Sequence, residues 1–219
     1  MLKYNYHTHT ARCGHAVGSD EEYVLAAIEA GYKILGFSDH APYSSFYRPG
    51  SHMRWEEQED YLSSLHHLQE KYKDKITIKI GLETEYYPEV LKERQDLAKR
   101  YDFLLLGQHY DRLSLDSVNY FKENSEEEIL EYADAVCQAL DTGIFTYLCH
   151  PDVFMNRQLE FTPACAEAAK RIAEKAVETH TPVEINIRGV TKGKKPFPHG
   201  EQFYYPHKEF WRIMAEYPI

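Results

Sequence analysis

Short apolar runs that are typical of buried strands alternate along this chain with longer amphipathic stretches that are typical of helices. The strands are predicted at about residues 2–6, 33–38, 76–83, 103–107, 145–149 and 183–187. Strands that alternate with helices form parallel sheets, because each helix returns the chain to the same edge of the sheet. The pattern therefore predicts an α/β protein built from repeated strand–helix units.

Local signals mark several of the helices. Ser19 and Ser125 are each followed three residues later by glutamate, which is the pattern of a capping box. Gly31 and Gly143 stand where these two helices should end. Further helices are predicted at about residues 54–72, 88–99 and 206–216, and another begins at Thr162-Pro163 and buries Ala176.

Residues that can bind metal follow most of the predicted strands. His7 and His9 lie two residues apart, so they point to the same side of an extended chain, and His15 follows six residues later. Imidazole suits zinc, iron, manganese or copper, and no Cys-x-x-Cys pair offers a thiolate site. The candidate ligands at strand ends are His7, His9, His15, His40, Glu83, His109 and His150.

The positions of these ligands bear on the choice of architecture. An open doubly wound sheet and a closed barrel both fit the strand pattern. In a barrel the carboxyl ends of the strands converge on one mouth, and functional residues come from several of those ends. The ligand pattern therefore favours the barrel. Glu83 and Glu85 lie two residues apart, so their side chains point to the same side of the strand. Glu83 is preferred as the metal ligand because it lies nearer the strand end.

Composition narrows the class of function. The chain has 219 residues, which predicts one domain, and its formal net charge is −10. No lysine- or arginine-rich block stands out, which argues against a nucleic-acid partner. No apolar run is long enough for a membrane span, no export leader is recognisable, and the four cysteines are scattered. These features favour the cytoplasm.

The motifs taken together resemble those of the PHP (polymerase and histidinol phosphatase) family, and most closely those of its histidinol-phosphate phosphatases. The resemblance spans nearly the whole chain, and its pieces occur in family order. They are His7-Thr8-His9 with His15, Ser38-Asp39-His40, Gly81-Leu82-Glu83, Gly107-Gln108-His109 and His150-Pro151-Asp152.

This resemblance implies a distorted (βα)7-type barrel that holds up to three divalent metal ions, which would be Zn, Fe or Mn. His7, His9 and Glu83 would hold one ion, His15 and His40 a second, and Glu83, His109 and His150 a third. It also implies hydrolysis of a small phosphorylated substrate, L-histidinol phosphate, in histidine biosynthesis.

Three further residues receive roles from the resemblance. Asp39 is expected to orient His40 or a bound water. Arg157 and Arg188 are expected to bind the phosphate, because a guanidinium matches phosphate bidentately. Lys192, Lys194 and Lys195 are interpreted as part of a solvated basic loop.

Other interpretations stay open at this stage. The chain could be a PHP phosphoesterase that acts on a nucleotide or a nucleic-acid 3′ end, or an inactive PHP module that only binds a partner. A homo-oligomer is also left open. The family carries an Asp-x-His pair on a seventh strand, and no such pair follows residue 200. Residues 1–219 are therefore expected to form a single PHP barrel domain that is truncated at its C-terminus and holds metal less well.

Overall fold

A computed structural model describes residues 3–219 of the chain. The chain divides into two compact units. The first contains the residues through Thr84 together with Asp96–Leu105, and the second contains Glu85–Gln95 together with Leu106–Ile219. The organisation as a single domain stays a prediction.

Strands and helices alternate through the first two thirds of the described chain, as the sequence predicts. The strands are β1 (Tyr4–Asn5), β2 (Ile34–His40), β3 (Thr77–Thr84), β4 (Phe103–Leu106), β5 (Tyr147–Leu148), β6 (Lys195–Phe197) and β7 (Gly200–Gln202). The α-helices are α1 (Asp20–Glu29), α2 (Gln58–Tyr72), α3 (Leu91–Arg100), α4 (Glu126–Asp141), α5 (Pro163–Glu178) and α6 (Lys208–Met214). Short 3₁₀ helices cover Ala11–Cys13, Trp55–Glu57, Pro88–Val90, Val153–Arg157 and Ile187–Lys192.

The first unit is built on parallel strands in the order β1-β2-β3-β4. Tyr4 pairs with Ile34 across β1 and β2. The register of β2 and β3 places His40 opposite Glu83, so two predicted ligands leave the sheet side by side. The α/β class with a parallel sheet is therefore confirmed.

Two glycines allow an aromatic ring to pack closely on this sheet. A Cβ atom at Gly81 would lie 2.5 Å from the ring of Phe103, and one at Gly36 would lie 2.8 Å from the Cα atom of Tyr6. Both distances are shorter than any ordinary carbon contact. Phe103 also meets the ring of Tyr6 edge to face, with 5.5 Å between ring centroids. The core under the strand ends therefore requires glycine at both positions.

Helix boundaries follow the predicted caps closely. Ser19 and Ser125 each accept a hydrogen bond from the backbone of the glutamate three residues on, and both capping boxes are complete. In the second unit α4 packs on α5, and α5 packs on α6. None of the helices within residues 3–219 is long and apolar enough to cross a membrane.

The sequence analysis predicted a sixth strand at about residues 183–187. In the structure only the first of these residues pairs with another strand, so the prediction is wrong for the rest. Val183 makes one isolated parallel bridge to Leu148, and a 3₁₀ helix begins at Ile187. The side chain of Asn186 accepts a hydrogen bond from the backbone of Arg188 and so starts that helix instead of extending the strand. The β6–β7 hairpin in the basic segment was not predicted at all.

Candidate metal centre

The buried carboxylate of Glu83 gathers three imidazoles in the first unit. Its Oε2 atom lies 3.1 Å from Nε2 of His7, 3.2 Å from Nε2 of His9 and 3.4 Å from Nδ1 of His40. The side chain of Glu83 is fully buried. The structure thus brings together four of the ligands that the sequence analysis predicts.

The spacing of these atoms fits a divalent cation. Zinc binds imidazole nitrogen and carboxylate oxygen at about 2.0–2.2 Å, so two ligands of one ion lie roughly 3.0–3.6 Å apart. The separations from Glu83 run from 3.1 to 3.4 Å. Imidazole and carboxylate are also the chemical types that zinc, iron and manganese accept. These residues are therefore capable of binding a metal ion.

His15 completes a second group with His9 and His40. One ligand atom from each of the three lies within 4.8 Å of the other two. His15 returns to this group because the preceding Gly14 has a left-handed conformation with φ of 80°. A Cβ atom at Gly14 would also lie 3.2 Å from Gly50.

Asp39 supports this cluster by holding His9. Its Oδ1 atom accepts a hydrogen bond of 3.0 Å from the backbone of Thr10 and lies 3.6 Å from Nδ1 of His9, while its Oδ2 atom accepts from the hydroxyl of Thr10. The sequence analysis expected Asp39 to orient His40 or a bound water, and the structure places its carboxylate beside His9. The difference arises because the chain after β1 turns Thr10 and His9 toward the end of β2.

The surroundings of His9 favour a positive charge. Burial by itself would lower the pKa of His9, but its contacts with Asp39, Cys13 and Glu83 raise that pKa well above its ordinary value. The Sγ atom of Cys13 lies 3.7 Å from Nδ1 of His9. A bound cation would satisfy the same negative surroundings.

His52 was not predicted as part of this region, yet it is buried beside the cluster. Its ring lies 6.4 Å from that of His40 and 5.1 Å from that of Tyr43. His52 follows a long polar and aromatic loop and no strand, so a search of strand ends could not find it. The presence of Tyr43 and Phe46 in the same loop is the one sequence signal of an aromatic wall.

The second unit brings His109 and His150 together, with 5.1 Å between their ring centroids. Glu85 holds His109, because its Oε1 atom accepts a hydrogen bond of 3.2 Å from the backbone of His109 and lies 3.4 Å from Nδ1 of the ring. Phe121 stacks on His109 with an interplanar angle of 8°. The sequence analysis left Glu85 without a role, and the structure makes it the buried support of His109.

His150 is held by a chain of hydrogen bonds that leads to Arg188. The backbone of His150 donates to Oε2 of Glu184 at 3.3 Å, and the side chain of Asn186 donates to the same oxygen at 3.0 Å. Asn186 in turn accepts from the backbone of Arg188. His150 has φ of 33°, a conformation that costs a non-glycine residue about 1–3 kcal/mol and that clusters at functional sites.

Asp152 anchors the C-terminal helix to the loop of His150. Its Oδ2 atom accepts hydrogen bonds from the backbone of His207 at 2.7 Å and from Nε1 of Trp211 at 3.0 Å. Burial raises the pKa of Asp152 to about 7, and burial lowers the pKa of His207 to about 4. The sequence analysis gave neither residue a function, because the partner of Asp152 lies 55 residues away.

Both predicted phosphate-binding arginines lie in 3₁₀ helices of the second unit. Arg157 is the last residue of Val153–Arg157, and Arg188 is the second residue of Ile187–Lys192. Both lie near Lys192, whose pKa is lowered first by burial and then by the charges of Arg188 and Arg157. The three cations therefore share one region of this unit.

Comparison with solved structures bears on the fold. A histidinol phosphate phosphatase from Lactococcus lactis, solved as a complex with zinc, L-histidinol and phosphate, superimposes with a TM-score of 0.69 at 21% identity, over 86% of this chain and 74% of that chain. A solved structure from Listeria monocytogenes superimposes with a TM-score of 0.74 at 20% identity, over 98% of this chain and 91% of that chain. The expected α/β barrel class is confirmed by this likeness in fold.

Comparison of sequences bears on the family. A protein from Deinococcus radiodurans named "Probable histidinol-phosphatase" is 27% identical over 154 residues, which cover 67% of this chain and 59% of that protein. The chain thus spans less than two thirds of the length of that relative. The family model of the PHP domain matches residues 5–188, which include all seven candidate metal ligands. The chain belongs to the PHP domain family.

Proposed function

We propose that this chain is a metal-dependent phosphatase that hydrolyses L-histidinol phosphate to L-histidinol and phosphate. The observation that carries the proposal is the Oε2 atom of Glu83, which faces imidazole nitrogens of His7, His9 and His40 at 3.1 to 3.4 Å. The names of relatives in the family, and the ligands in the Lactococcus lactis structure, support the choice of substrate.

The metal ligands are assigned by chemistry and by family resemblance. His7, His9 and Glu83 would hold one divalent ion, and His15 with His40 would hold a second. The third set of the family pattern, which adds His109 and His150 to Glu83, stays a prediction. When bound, such ions would activate a water molecule as nucleophile and neutralise oxygens of the reacting phosphate.

The protein's own contribution is to place these ligands and to bind the substrate. Asp39 and Thr10 fix the ring of His9, so that its Nε2 atom faces the carboxylate of Glu83. Glu85 fixes the ring of His109 in the same way from a buried position. Supports of this kind hold ligand rings in one orientation and raise their basicity.

Arg157 and Arg188 would bind the phosphate group. Arg188 is positioned through its backbone by Asn186, which shares the carboxylate of Glu184 with the backbone of His150. A candidate metal ligand and a candidate phosphate ligand are thus held by one network in the second unit. This arrangement suits a substrate that must touch both.

A substrate panel tests the proposal against its alternatives. L-histidinol phosphate, nucleoside monophosphates, a single-stranded DNA with a 3′ end and p-nitrophenyl phosphate would be offered to the purified chain, with elemental analysis of the same sample. Preference for L-histidinol phosphate supports the proposal. Preference for nucleotides or DNA ends would favour another PHP phosphoesterase, and metal-free protein without activity would favour a binding module.

The role of the arginines is tested separately by lysine substitution. Arg157→Lys and Arg188→Lys keep the positive charge but lose the planar fork that binds two phosphate oxygens. Each variant should bind substrate more weakly, while metal content and melting temperature stay unchanged. Unaltered kinetics in both variants would place the phosphate group elsewhere.

A further inference from the structure

The 3₁₀ helix Ile187–Lys192 carries a third cation that the proposed function does not use. Lys192 lies four residues after Arg188, and its ammonium donates a hydrogen bond of 2.8 Å to Oδ1 of Asn156. The sequence analysis interpreted Lys192 as part of a solvated loop. Lys192 is exposed, as that interpretation implies, and the hydrogen bond to Asn156 gives its ammonium a defined position.

Asn156 is suited to hold that position because it is itself buried and fixed. It is 7% exposed, and its amide nitrogen donates a hydrogen bond of 2.6 Å to the backbone carbonyl of Phe121. This bond leaves its carbonyl oxygen to face Lys192. Since Asn156 immediately precedes Arg157, the same short 3₁₀ helix sets the places of Lys192 and of one arginine.

The backbone around Lys192 is also held closely. A Cβ atom at Gly189 would lie 1.9 Å from the carbonyl oxygen of Tyr205, so only glycine allows this approach. The ammonium of Lys192 lies 5.2 Å from the ring centroid of Tyr205, within the range of a cation–π contact. The helix that carries Arg188 and Lys192 is thus packed directly on the chain before α6.

The three cations are not neutralised by the protein. Among residues 3–219, the ion pairs of the structure do not include Arg157, Arg188 or Lys192. The charges of Arg188 and Arg157 contribute to a lowered pKa of Lys192, after partial burial, and all three side chains reach solvent, where an anion can meet them. In a chain with a net charge of −10, such a group of cations is a candidate for binding an anion.

We propose that Lys192, held by Asn156, is a third phosphate-binding cation beside Arg157 and Arg188, and that it makes the site select dianionic phosphate monoesters over monoanionic diesters. The proposal rests on the proposed function and adds a residue that determines its specificity. Two guanidinium groups can bind the oxygens of a monoester or a diester. A third positive charge favours the substrate that carries the second negative charge.

The test compares Lys192→Gln with Lys194→Gln in the metal-loaded protein. Both changes remove one positive charge from the same basic segment, but Lys194 lies over the ring of Phe203 and not at Asn156. Calorimetry would measure binding of inorganic phosphate, and kinetics would compare p-nitrophenyl phosphate with bis(p-nitrophenyl) phosphate. Lys192→Arg serves as the conservative variant.

Lys192→Gln should weaken phosphate binding by about tenfold or more, which is the usual effect of losing one hydrogen bond to a charged group. It should raise KM for the monoester and leave the diester almost unaffected, with unchanged metal content and melting temperature. Lys192→Arg should restore part of the loss, and Lys194→Gln should resemble the unsubstituted protein.

The outcomes separate this inference from the proposed function. Equal phosphate affinity in Lys192→Gln and Lys194→Gln, with L-histidinol phosphate still hydrolysed, would overturn the role of Lys192 alone. A loss of monoester and diester hydrolysis by the same factor would overturn its role in selectivity. If Lys192→Gln loses phosphate binding while the unsubstituted protein hydrolyses no L-histidinol phosphate, the anion site stands and the proposed substrate is wrong.

Discussion

Carboxylates serve the histidines of the two units in different ways. In the first unit an oxygen of Glu83 itself faces three imidazole nitrogens. In the second unit Glu85 and Glu184 accept hydrogen bonds from the backbone N–H groups of His109 and His150, and Glu85 also faces one imidazole nitrogen, Nδ1 of His109, at 3.4 Å. We therefore assign Glu83, whose oxygen faces three imidazoles, as a ligand, and Glu85 and Glu184, which hold the backbone of a histidine, as supports.

The difference has a physical origin in how each histidine is presented. His40 leaves an ordinary strand in register with Glu83, so its ring reaches the carboxylate without help. His150 follows a two-residue strand and has a left-handed backbone. A conformation of that kind persists only where the surroundings hold it, and the bond to Glu184 supplies one such restraint.

The largest expected effect follows from replacing Glu83, the carboxylate assigned as ligand. Glu83→Gln keeps the size of the side chain but removes the charge that offsets bound cations. The variant should lose bound metal and all measurable phosphatase activity, because three imidazoles share this one oxygen. Elemental analysis and turnover would be measured together. A Glu83 variant that keeps full activity after free metal is removed would end the assignment.

Replacing Glu85 or Glu184, which support histidines of the second unit, should reduce metal affinity and activity less than replacing Glu83. Glu85→Gln and Glu184→Gln each leave the imidazole in place, and loss of such a support typically costs about 10–100-fold in metal affinity or activity. We expect both variants to retain weak activity that excess metal partly restores. If either variant is as inactive as Glu83→Gln and binds no metal, the contrast between ligand and support is wrong for that residue.

A smaller effect is expected from Thr10, which acts on His9 through Asp39. Thr10→Val keeps the shape but removes the hydroxyl that donates to Asp39, and the backbone bond to the same carboxylate remains. Metal affinity should fall by about tenfold, the lower end of the range for such supports. Thr10→Ser keeps the hydroxyl and is the control. Equal affinities in the two variants would show that the backbone bond alone positions Asp39.

The sequence predicts the helix ends and the strand register of this molecule well where the signals lie within a few residues of each other. Capping boxes at Ser19 and Ser125 depend on residues three apart, and both form as expected. The pairing of His40 with Glu83 follows from parallel strands that end at the same level. These features need only short-range chemistry and the repeat of strands.

The hydrogen bonds that support the site residues could not be predicted, because their partners are distant in sequence and follow no repeating pattern. Thr10 and Asp39 are 29 residues apart, and Asp152 and Trp211 are 59 apart. The alternation of Val183, Ile185 and Ile187 is typical of a half-buried strand, yet Ile185 and Ile187 are 59% and 71% exposed. The side chain of Asn186 caps a 3₁₀ helix here, so the chain does not form the strand that the alternation predicts.

A separate effect concerns stability and not activity, and it arises where Asp152 is used as an anchor and not as a ligand. The pKa of Asp152 is raised to about 7, so the folded state binds its proton more readily than the unfolded state does. Asp152 therefore lowers the free energy of unfolding as pH rises from about 4 to 7, by at most about 4 kcal/mol.

His207 acts in the opposite sense. Its ring stacks on that of Phe161 with 4.9 Å between centroids, and its pKa is lowered to about 4. The unfolded state binds the proton more readily below pH about 6.5, so the contribution of His207 is complete above that pH and is lost as pH falls toward 4. The loss amounts to at most about 3 kcal/mol.

Two variants separate these opposing trends. His207→Phe keeps an aromatic ring on Phe161 and the backbone bond to Asp152, and Asp152→Asn keeps an oxygen that can accept from His207 and Trp211. Denaturant unfolding would be followed from pH 4 to 8 with a chelator present, so that metal binding does not contribute. Relative to the unsubstituted chain, His207→Phe should gain stability as pH falls below 6.5, and Asp152→Asn should gain stability as pH rises toward 7. Curves that run parallel to that of the unsubstituted chain would mean that neither group changes its pKa on folding, and the anchor would then depend on hydrogen bonds alone.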